Sequence, residues 1–483
     1  MPHQPSRLRS AAWLLLLATS FACAQEQAAP AAAATPAAAA PAAAADPSSL
    51  PHWRDPLLPA LEILEFELLL NRINRCCGNG RGDYAVNWST IRHNLHSGWV
   101  VDNDPFSVNQ FAHPYSGSMY YGFARSNGFD FWTSTAYALG GSALWEIAGE
   151  RTPPSRNDLI STGIGGSLLG EPLFRMANLL LEHGGGMTPF WRETVAAAVS
   201  PSTAFNRWLQ GRGPDTVFSS HGAPYYSRLS LGVMGTSQNQ AGNSTASVQR
   251  AEAQAEFALD YGMPGQEGYE YRRPFDYFTF QATASSANGF ENVMTRGLLL
   301  GRDYRAGSDY RGVWGLYGSY DYLSPQTFRV SSTAVSLGTT GQWGRGDWVV
   351  TGTGTAGLGY AAVGTLSSAA PGVDRDYHYG VAPQVLLAAR VIHGGKWALD
   401  LTARDFFVSN IGDSTRGGHD NIARAELAWT WRLHDQQAIT VKYLWNRRNA
   451  QYPDLGDRSQ TRGTIGVFYT LLGHDRFGAL DWK

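Results

Sequence analysis

Three side chains in the first half of the chain have types that could do acid–base chemistry: His113, Glu146 and Asp158. The two carboxylates lie in stretches rich in Leu, Ile, Gly and Ala, where an ionised group must be paired, protonated or in contact with water. A histidine beside a carboxylate is a common acid–base pair. One hypothesis is therefore a catalytic site that acts on a lipid, although no serine near His113 lies in a Gly-x-Ser-x-Gly elbow.

A structural role is the alternative explanation for the same polar residues. Glu146, Asp158 or Glu171 would form an ion pair with an arginine, and the pair would lock helices together or onto a neighbouring domain. The candidate arginines are Arg125, Arg156 and Arg175. The full set of candidates for such a binding or structural network is Tyr120, Tyr121, Glu150, Glu171 and Arg175.

Sequence motifs for metal or nucleotide chemistry do not occur in the chain. It contains no His-Glu-x-x-His pair, no P-loop and no dinucleotide fingerprint. We therefore expect no metal and no cofactor, and whether the protein is an enzyme stays open. The formal net charge of −2 does not suggest a nucleic-acid partner.

The elements that position these residues are predicted to be helices in a domain that spans residues 51–208. Apolar side chains recur there at helical spacing, and Gly, Pro and cap residues interrupt them. The predicted helices cover residues 57–75, 87–96, 110–121, 129–150 and 160–181, the last broken near Glu171 and Pro172. Ser155 or Asn157 is the expected N-cap before the last helix.

The second half of the chain, residues 225–472, follows a different period. Between Ala425 and Asn446, apolar and aromatic residues alternate with charged or polar ones. A period of two is that of a β-strand, and aromatic residues on the apolar face with mixed charges on the other are typical of a transmembrane β-barrel. We count twelve strands and predict an α+β membrane protein, in which a helical N-terminal domain precedes an antiparallel transmembrane barrel.

Side chains on the polar face of these strands are expected to line the barrel interior. They are Glu256, Asp260, Asp400, Arg404, Arg424, Glu426, Arg432 and Lys442. Because both signs are present, we expect a water-filled interior crossed by salt bridges, whereas a selective pore favours one sign. The helical domain would plug this barrel or lie below it, and residues 473–483 form a tail.

The start of the chain resembles an export signal. Arg7 and Arg9 precede an apolar run, and Ala22 to Ala24 form an A-x-A cleavage site. Lipidation at Cys23 is the alternative. Residues 25–50 are almost all Ala and Pro and predict a disordered linker. We therefore expect the outer membrane as the location, with its lipids and, during biogenesis, the barrel-assembly machinery as partners.

Several motifs between Asn94 and Leu181 also resemble a known group of proteins. They are His113-Pro114-Tyr115-Ser116-Gly117, Tyr120-Tyr121, Trp145-Glu146 and Pro154-Ser155-Arg156-Asn157-Asp158. This run is similar to that of a family of uncharacterised Gram-negative outer-membrane proteins with a shared domain of unknown function. The resemblance implies the location and the architecture, and it implies no activity.

Three classes of function remain on these grounds. The protein could transport or anchor an envelope component, either a lipid or a small solute. It could instead be a membrane-embedded lipid-modifying enzyme that uses His113 with Glu146 or Asp158. The third class is a structural envelope protein that has neither a pore nor a pocket.

Overall fold

The computed structural model describes ten stretches of the chain, which are residues 55–77, 82–184, 187–211, 218–241, 251–325, 328–364, 377–411, 418–453, 456–473 and 476–480. The predicted signal peptide, residues 1–24, and the predicted linker, residues 25–50, lie outside the described residues. The described chain has a helical region followed by a β-barrel.

The helical region is built from α-helices and from three π-helical segments. The α-helices are α1 (Leu57–Cys77), α2 (Trp88–His96), α3 (His113–Ser126), α4 (Phe131–Leu144), α5 (Gly166–His183), α6 (Pro189–Val199) and α7 (Pro201–Leu209). The π-helical segments are Val108–Ala112, Trp145–Gly149 and Leu159–Gly165, the last preceded by the single turn Arg156–Asp158. None of the described helices has the length and hydrophobicity needed to cross a membrane.

Two details of the helical region differ from the sequence prediction. The predicted break near Glu171 is wrong, because α5 runs through Pro172 without interruption. Nearly all residues of α5 are buried, and this packing outweighs the hydrogen bond that a proline removes. Helices α6 and α7 were not predicted as separate elements. The expected N-cap is confirmed at Ser155, whose hydroxyl accepts from the Asp158 amide.

The second half of the chain is a closed antiparallel barrel of twelve strands, with β1 paired to β12. The strands are β1 (Tyr225–Ala241), β2 (Ala251–Tyr261), β3 (Phe278–Ser285), β4 (Asn292–Ala306), β5 (Tyr310–Leu323), β6 (Arg329–Arg345), β7 (Trp348–Gly364), β8 (Tyr377–His393), β9 (Trp397–Val408), β10 (His419–His434), β11 (Gln437–Gln451) and β12 (Arg458–Leu472). The predicted fold class and strand number are confirmed.

The two ends of the barrel differ in their connections. Tight turns follow β4, β6, β8 and β10, and we call this side the short-turn end. Longer connections follow the odd-numbered strands and β12 returns to the short-turn end, so we call the opposite side the long-loop end. In bacterial outer-membrane barrels the short turns face the periplasm.

The barrel interior is filled by ion pairs that connect distant strands. Arg390 on β8 contacts Asp260 on β2 at 3.0 Å, and Lys442 on β11 contacts Glu256 on β2 at 2.7 Å. Each pair links strands that are not neighbours in the barrel order, so these side chains point inwards. The predicted interior face is therefore observed, and it encloses a cavity of about 170 Å³.

Buried apolar clusters lie at both ends of the described interior. At the long-loop end a buried cluster forms from Met294, Leu323, Phe328, Val330, Ala361, Val363, Ala382, Phe406, Val408 and Ile422. At the short-turn end the C-terminal tail folds into the barrel mouth, where Phe477 is buried beside Tyr226 and Leu472. Gln342 holds this tail through its amide, which donates to the Leu480 carbonyl at 2.7 Å.

The helical region packs on the outer wall of the barrel. Its core is continuous with outward-facing side chains of several strands, including Phe257 on β2, Phe278 on β3 and Tyr320 on β5. These residues alternate with inward-facing ones such as Glu256 and Asp321. The expectation that the helices plug the barrel or lie below it is therefore wrong. Apolar side chains on the outside of a barrel can be covered either by lipid or by helices. On this part of the wall, helices cover them.

Candidate functional site

Some of the polar residues singled out in the sequence meet two further aspartates at the long-loop end of the helical region. We call this group the upper cluster, and its members are Asp102, Asp104, His113, Glu146, Glu150, Asn157 and Asp158. All three π-helical segments border it or contribute to it. A π-helical turn is wider than an α-helical one and interrupts the regular pattern of main-chain hydrogen bonds. Such segments occur often at functional sites.

Asn157 is the hydrogen-bonding centre of the upper cluster. Its side chain is fully buried, and its Oδ1 accepts from the Asp102 amide at 2.8 Å and from the Ser155 hydroxyl at 2.8 Å. Its Nδ2 donates to Asp158 Oδ1 at 2.8 Å and to the Tyr379 hydroxyl at 2.9 Å. One amide group therefore joins three parts of the helical region to the barrel wall.

Tyrosine hydroxyls on the outer wall of the barrel complete this contact. Tyr377 donates to the Asp104 carbonyl at 2.6 Å, and Tyr320 donates to the Gln110 carbonyl at 2.5 Å. In the reverse direction, the Gln110 amide donates to Tyr379 at 2.8 Å. These tyrosines lie near the long-loop ends of β5 and β8, so the upper cluster lies at that level.

Two carboxylates of the upper cluster, Glu146 and Glu150, have raised pKa values. Burial raises the pKa of Glu146 to about 10, and the nearby charges of Asp158 and Glu150 raise it further. Burial also raises the pKa of Glu150 to about 7, although His113 and a hydrogen bond from the Trp145 indole lower it. Glu146 is therefore protonated at neutral pH, and Glu150 keeps its proton to a higher pH than an exposed glutamate does.

The structure brings the three candidate catalytic residues into one region without showing a catalytic pair. The His113 ring Nδ1 lies 3.0 Å from the Thr162 hydroxyl, and His113 interacts electrostatically with Glu150 and Asp104. Glu146 Oε2 accepts from the Ser155 amide at 2.7 Å. The catalytic assignment of His113, Glu146 and Asp158 stays a prediction.

A second polar group, which we call the lower network, lies at the short-turn end of the helical region. Glu171 accepts from Arg125 Nε at 2.8 Å and from Arg175 Nε at 2.7 Å. Arg175 also contacts Asp276 at 3.1 Å, and Asp276 belongs to the connection between β2 and β3. The ion pairing considered for Glu171 is thus observed, and it ties the helices to the barrel.

The electrostatics of the lower network explain how a carboxylate with no exposed surface stays ionised. Burial would raise the pKa of Glu171, but the charges of Arg125 and Arg175 outweigh it and lower that pKa to about 2. Tyr121 adds a hydrogen bond from its hydroxyl to Glu171 Oε2 at 2.6 Å. Tyr120 lies in the apolar core instead, with its ring 5.9 Å from that of Phe66.

A close helix crossing separates the two polar groups. A Cβ added to Gly117 of α3 would lie 1.8 Å from the Thr162 carbonyl oxygen, and one added to Gly166 of α5 would lie 2.6 Å from the Gly117 backbone. Only glycine permits this approach. The crossing fixes the direction of α3, which begins at the upper cluster and ends at Arg125 in the lower network.

The sequence did not identify the barrel residues that contact the upper cluster and the lower network. Tyr379 lay in a predicted strand and Tyr377 lay just before it, and aromatic residues near a strand end suggest a membrane interface. Asp276 lies in a connection with no periodic pattern. Residues from opposite halves of the chain meet only through the docking of helices on the wall, and no local spacing predicts that.

Comparison with known proteins finds one matching domain family. A family model described as a domain of unknown function (DUF3943) matches residues 98–202. This range contains most of the motifs noted above and confirms that the region carries an uncharacterised domain. No curated protein matches the chain.

Several solved structures match about half of the chain. The NanC porin has 8% identity and a TM-score of 0.25, and the match covers 50% of this chain and 98% of that one. The translocator domain of the autotransporter NalP from Neisseria meningitidis has 16% identity and a TM-score of 0.24, with coverages of 51% and 88%. The β domain of the Bordetella autotransporter BrkA has 13% identity and a TM-score of 0.23, with coverages of 52% and 98%. The likeness is one of fold alone.

Proposed function

We propose that this protein anchors a lipid component of the outer membrane on its helical region, and that the barrel is a support which does not conduct solute at rest. The observation that carries this proposal is the position of the helices. They lie on the lipid-facing wall of the barrel and leave its interior to ion pairs and apolar residues.

The barrel interior supports the non-conducting part of the proposal. Arg390 contacts both Asp260 and Asp400, and Arg404 contacts Asp321 at 2.6 Å, so charged side chains cross the middle of the described interior. Apolar clusters lie at both of its ends. A solute would have to separate buried ion pairs and displace these clusters, and both steps are costly.

The exposed surface of α1 supports the lipid-anchoring part. Leu61, Leu64 and Leu68 follow one another at helical spacing and are 54%, 41% and 63% exposed. The acids Glu62 and Glu67 of the same helix are buried instead. In water this arrangement is unfavourable, whereas contact with lipid chains satisfies the leucines.

The experiment that tests this function measures lipid retention and conductance on the full chain. We expect native mass spectrometry of detergent-extracted protein to show bound lipid. The substitution Leu61→Ser, Leu64→Ser and Leu68→Ser should remove it. A matched barrel variant with Leu337→Ser, Leu358→Ser and Leu387→Ser should retain it, since those leucines are equally exposed on the bare wall.

Conductance in planar bilayers tests the support role of the barrel. The refolded full chain should show no steady single-channel current. A steady current, or equal lipid retention in the two leucine variants, would contradict the proposed function.

A lipid-modifying enzyme is the second candidate, and the shifted pKa of Glu150 favours it. A carboxyl group with a pKa of about 7 that interacts electrostatically with a histidine is suited to proton transfer at neutral pH. We would incubate the protein with radiolabelled phospholipid and separate the products. Turnover that His113→Gln abolishes, while the helical circular dichroism signal is unchanged, would support this candidate over pure anchoring.

A further inference from the structure

We infer that exposed arginines around the upper cluster form a docking surface for the anionic, phosphate-bearing headgroups of outer-leaflet lipids. This inference rests on the proposed lipid-anchoring function and names the lipid chemistry. We call the surface the basic face, and its residues are Arg72, Arg75, Arg92 and Arg151.

The basic face is assembled from three segments that contact one another. Asn71, next to Arg72 on α1, donates to the carbonyls of Gly149 and Tyr84 at 2.8 and 3.0 Å. On α2, Asn94 donates to the Glu150 carbonyl at 3.0 Å. The Arg151 amide donates to the Asp83 carbonyl at 2.8 Å. The four arginines therefore surround the segment that carries Glu150.

The level of the basic face in the membrane follows from its attachment to the upper cluster. The Val100 amide donates to the Pro154 carbonyl at 2.9 Å, and the Arg156 amide donates to the Val100 carbonyl at 3.0 Å. The Asp102 amide donates to the side chain of Asn157. Asn157 in turn donates to Tyr379 near the long-loop end of β8. Because short turns face the periplasm in bacterial barrels, the basic face lies at the outer headgroup level.

Exposed aromatic residues accompany the arginines. Trp88 at the start of α2 is 75% exposed, and Trp99 just after α2 is 40% exposed. Tryptophan is enriched at the membrane–water interface, where its ring lies among headgroups. Arginine and tryptophan together suit a headgroup layer. The tryptophan ring inserts among the headgroups, and the guanidinium donates hydrogen bonds to phosphate.

The distribution of charge favours an anionic partner at this end. Arginine is the preferred residue for phosphate because its planar guanidinium donates two parallel hydrogen bonds. Asp83 is exposed among the four arginines, which leaves them in excess. At the other end of the helical region, exposed acids replace them, namely Asp55, Asp130 and Glu182.

The test compares two triple variants of the full chain that lose the same charge. The first is Arg72→Gln with Arg75→Gln and Arg92→Gln. The control is Arg305→Gln with Arg345→Gln and Lys396→Gln, which removes three exposed cations at the short-turn end of the barrel. Binding of fluorescent phosphatidic acid is measured in zwitterionic micelles, with fluorescent phosphatidylcholine as the neutral probe.

We expect the basic-face variant to bind phosphatidic acid more weakly by on the order of a hundredfold, since each arginine near a charged lipid surface contributes about fivefold. The control should bind it as the unaltered chain does. High salt should weaken phosphatidic acid binding and leave phosphatidylcholine binding unchanged.

Four results would overturn the inference. Equal losses in both variants would show that net charge alone acts, and undiminished binding in the basic-face variant would show that its arginines are not the site. If phosphatidylcholine binds as tightly as phosphatidic acid, the headgroup inference fails while the lipid-anchoring function stands. If neither lipid binds, the anchoring function itself fails.

Discussion

Glu171 shows how one residue can hold two parts of the molecule together. Its carboxylate has no exposed surface and accepts from two arginines and a tyrosine, and one of the arginines reaches Asp276 of the barrel. Removing one partner of a buried ion pair leaves the other charge unpaired, which usually costs more than the pair itself contributes. Glu171 therefore couples the docking of the helices to their folding.

The substitution Glu171→Gln should strongly destabilise the helical region. We expect a loss of about 3–5 kcal/mol, because the buried Arg125 would lose its anion and the buried Arg175 would keep only its contact with Asp276. Hydrogen exchange of α3 and α5 amides measures this loss directly. The exposed Glu65→Gln on α1 is the control, with a change within about 0.5 kcal/mol. Equal protection in both variants would contradict the role given to Glu171.

Glu146 should make the stability of the helical region depend on pH. Its pKa is raised from 4.5 to about 10 on folding, so folding takes up a proton at any pH between these values. A raised pKa gives stability that is present below 4.5 and is lost as the pH rises towards about 10.

Thermal melts followed at 222 nm between pH 5 and pH 9 check this expectation. The midpoint of the unaltered chain should fall as the pH rises. Glu146→Gln stays neutral and similar in shape, so its midpoint should vary less over the same range. A midpoint that rises with pH, or one with the same slope in both proteins, would show that Glu146 is ionised in the folded state.

At the scale of elements, the crossing of α3 and α5 sets the distance between the upper cluster and the lower network. The two helices touch at Gly117 and Gly166, and a side chain at either position would collide with backbone. Backbone atoms cannot rotate away as a side chain can, so a larger residue must separate the helices.

The substitution Gly117→Ala should therefore loosen the helical region, although alanine favours helices more than glycine does. Gly140→Ala on α4 is the matched control, since its added Cβ would have nothing within 4 Å. The control should be neutral or stabilising by up to about 1 kcal/mol. We would compare helical melting midpoints, and a Gly117→Ala midpoint at or above that of Gly140→Ala would disprove the tight crossing.

At the scale of the whole molecule, the barrel was predictable from sequence and the position of the helices was not. Strand alternation marks each side chain as inward or outward, so residues such as Glu256 and Lys442 were placed correctly inside. Alternation does not say what covers an outward residue. Phe278 and Leu427 both lie on the apolar side of the alternating pattern in their strands. Leu427 is exposed, whereas Phe278 is buried under helices.

The candidate site was predictable in its helical part only. The buried acids and arginines stood out because charged residues are rare among apolar helical neighbours. The choice between Glu171 and Glu146 as the ion-paired acid depends on which side chains three-dimensional packing brings within reach, and Asp276 is about a hundred residues away from Arg175 in the chain.

The docking of helices on the outer wall has a consequence for the order of synthesis and assembly. The helical segments leave the ribosome first, but their binding surface is made of strands that come later in the chain. Until the barrel has closed, α1 and its neighbours have no wall to pack against. The first part of the protein to be made is therefore the last to reach its final place, and in timed refolding into lipid the α-helical signal should mature after the β signal.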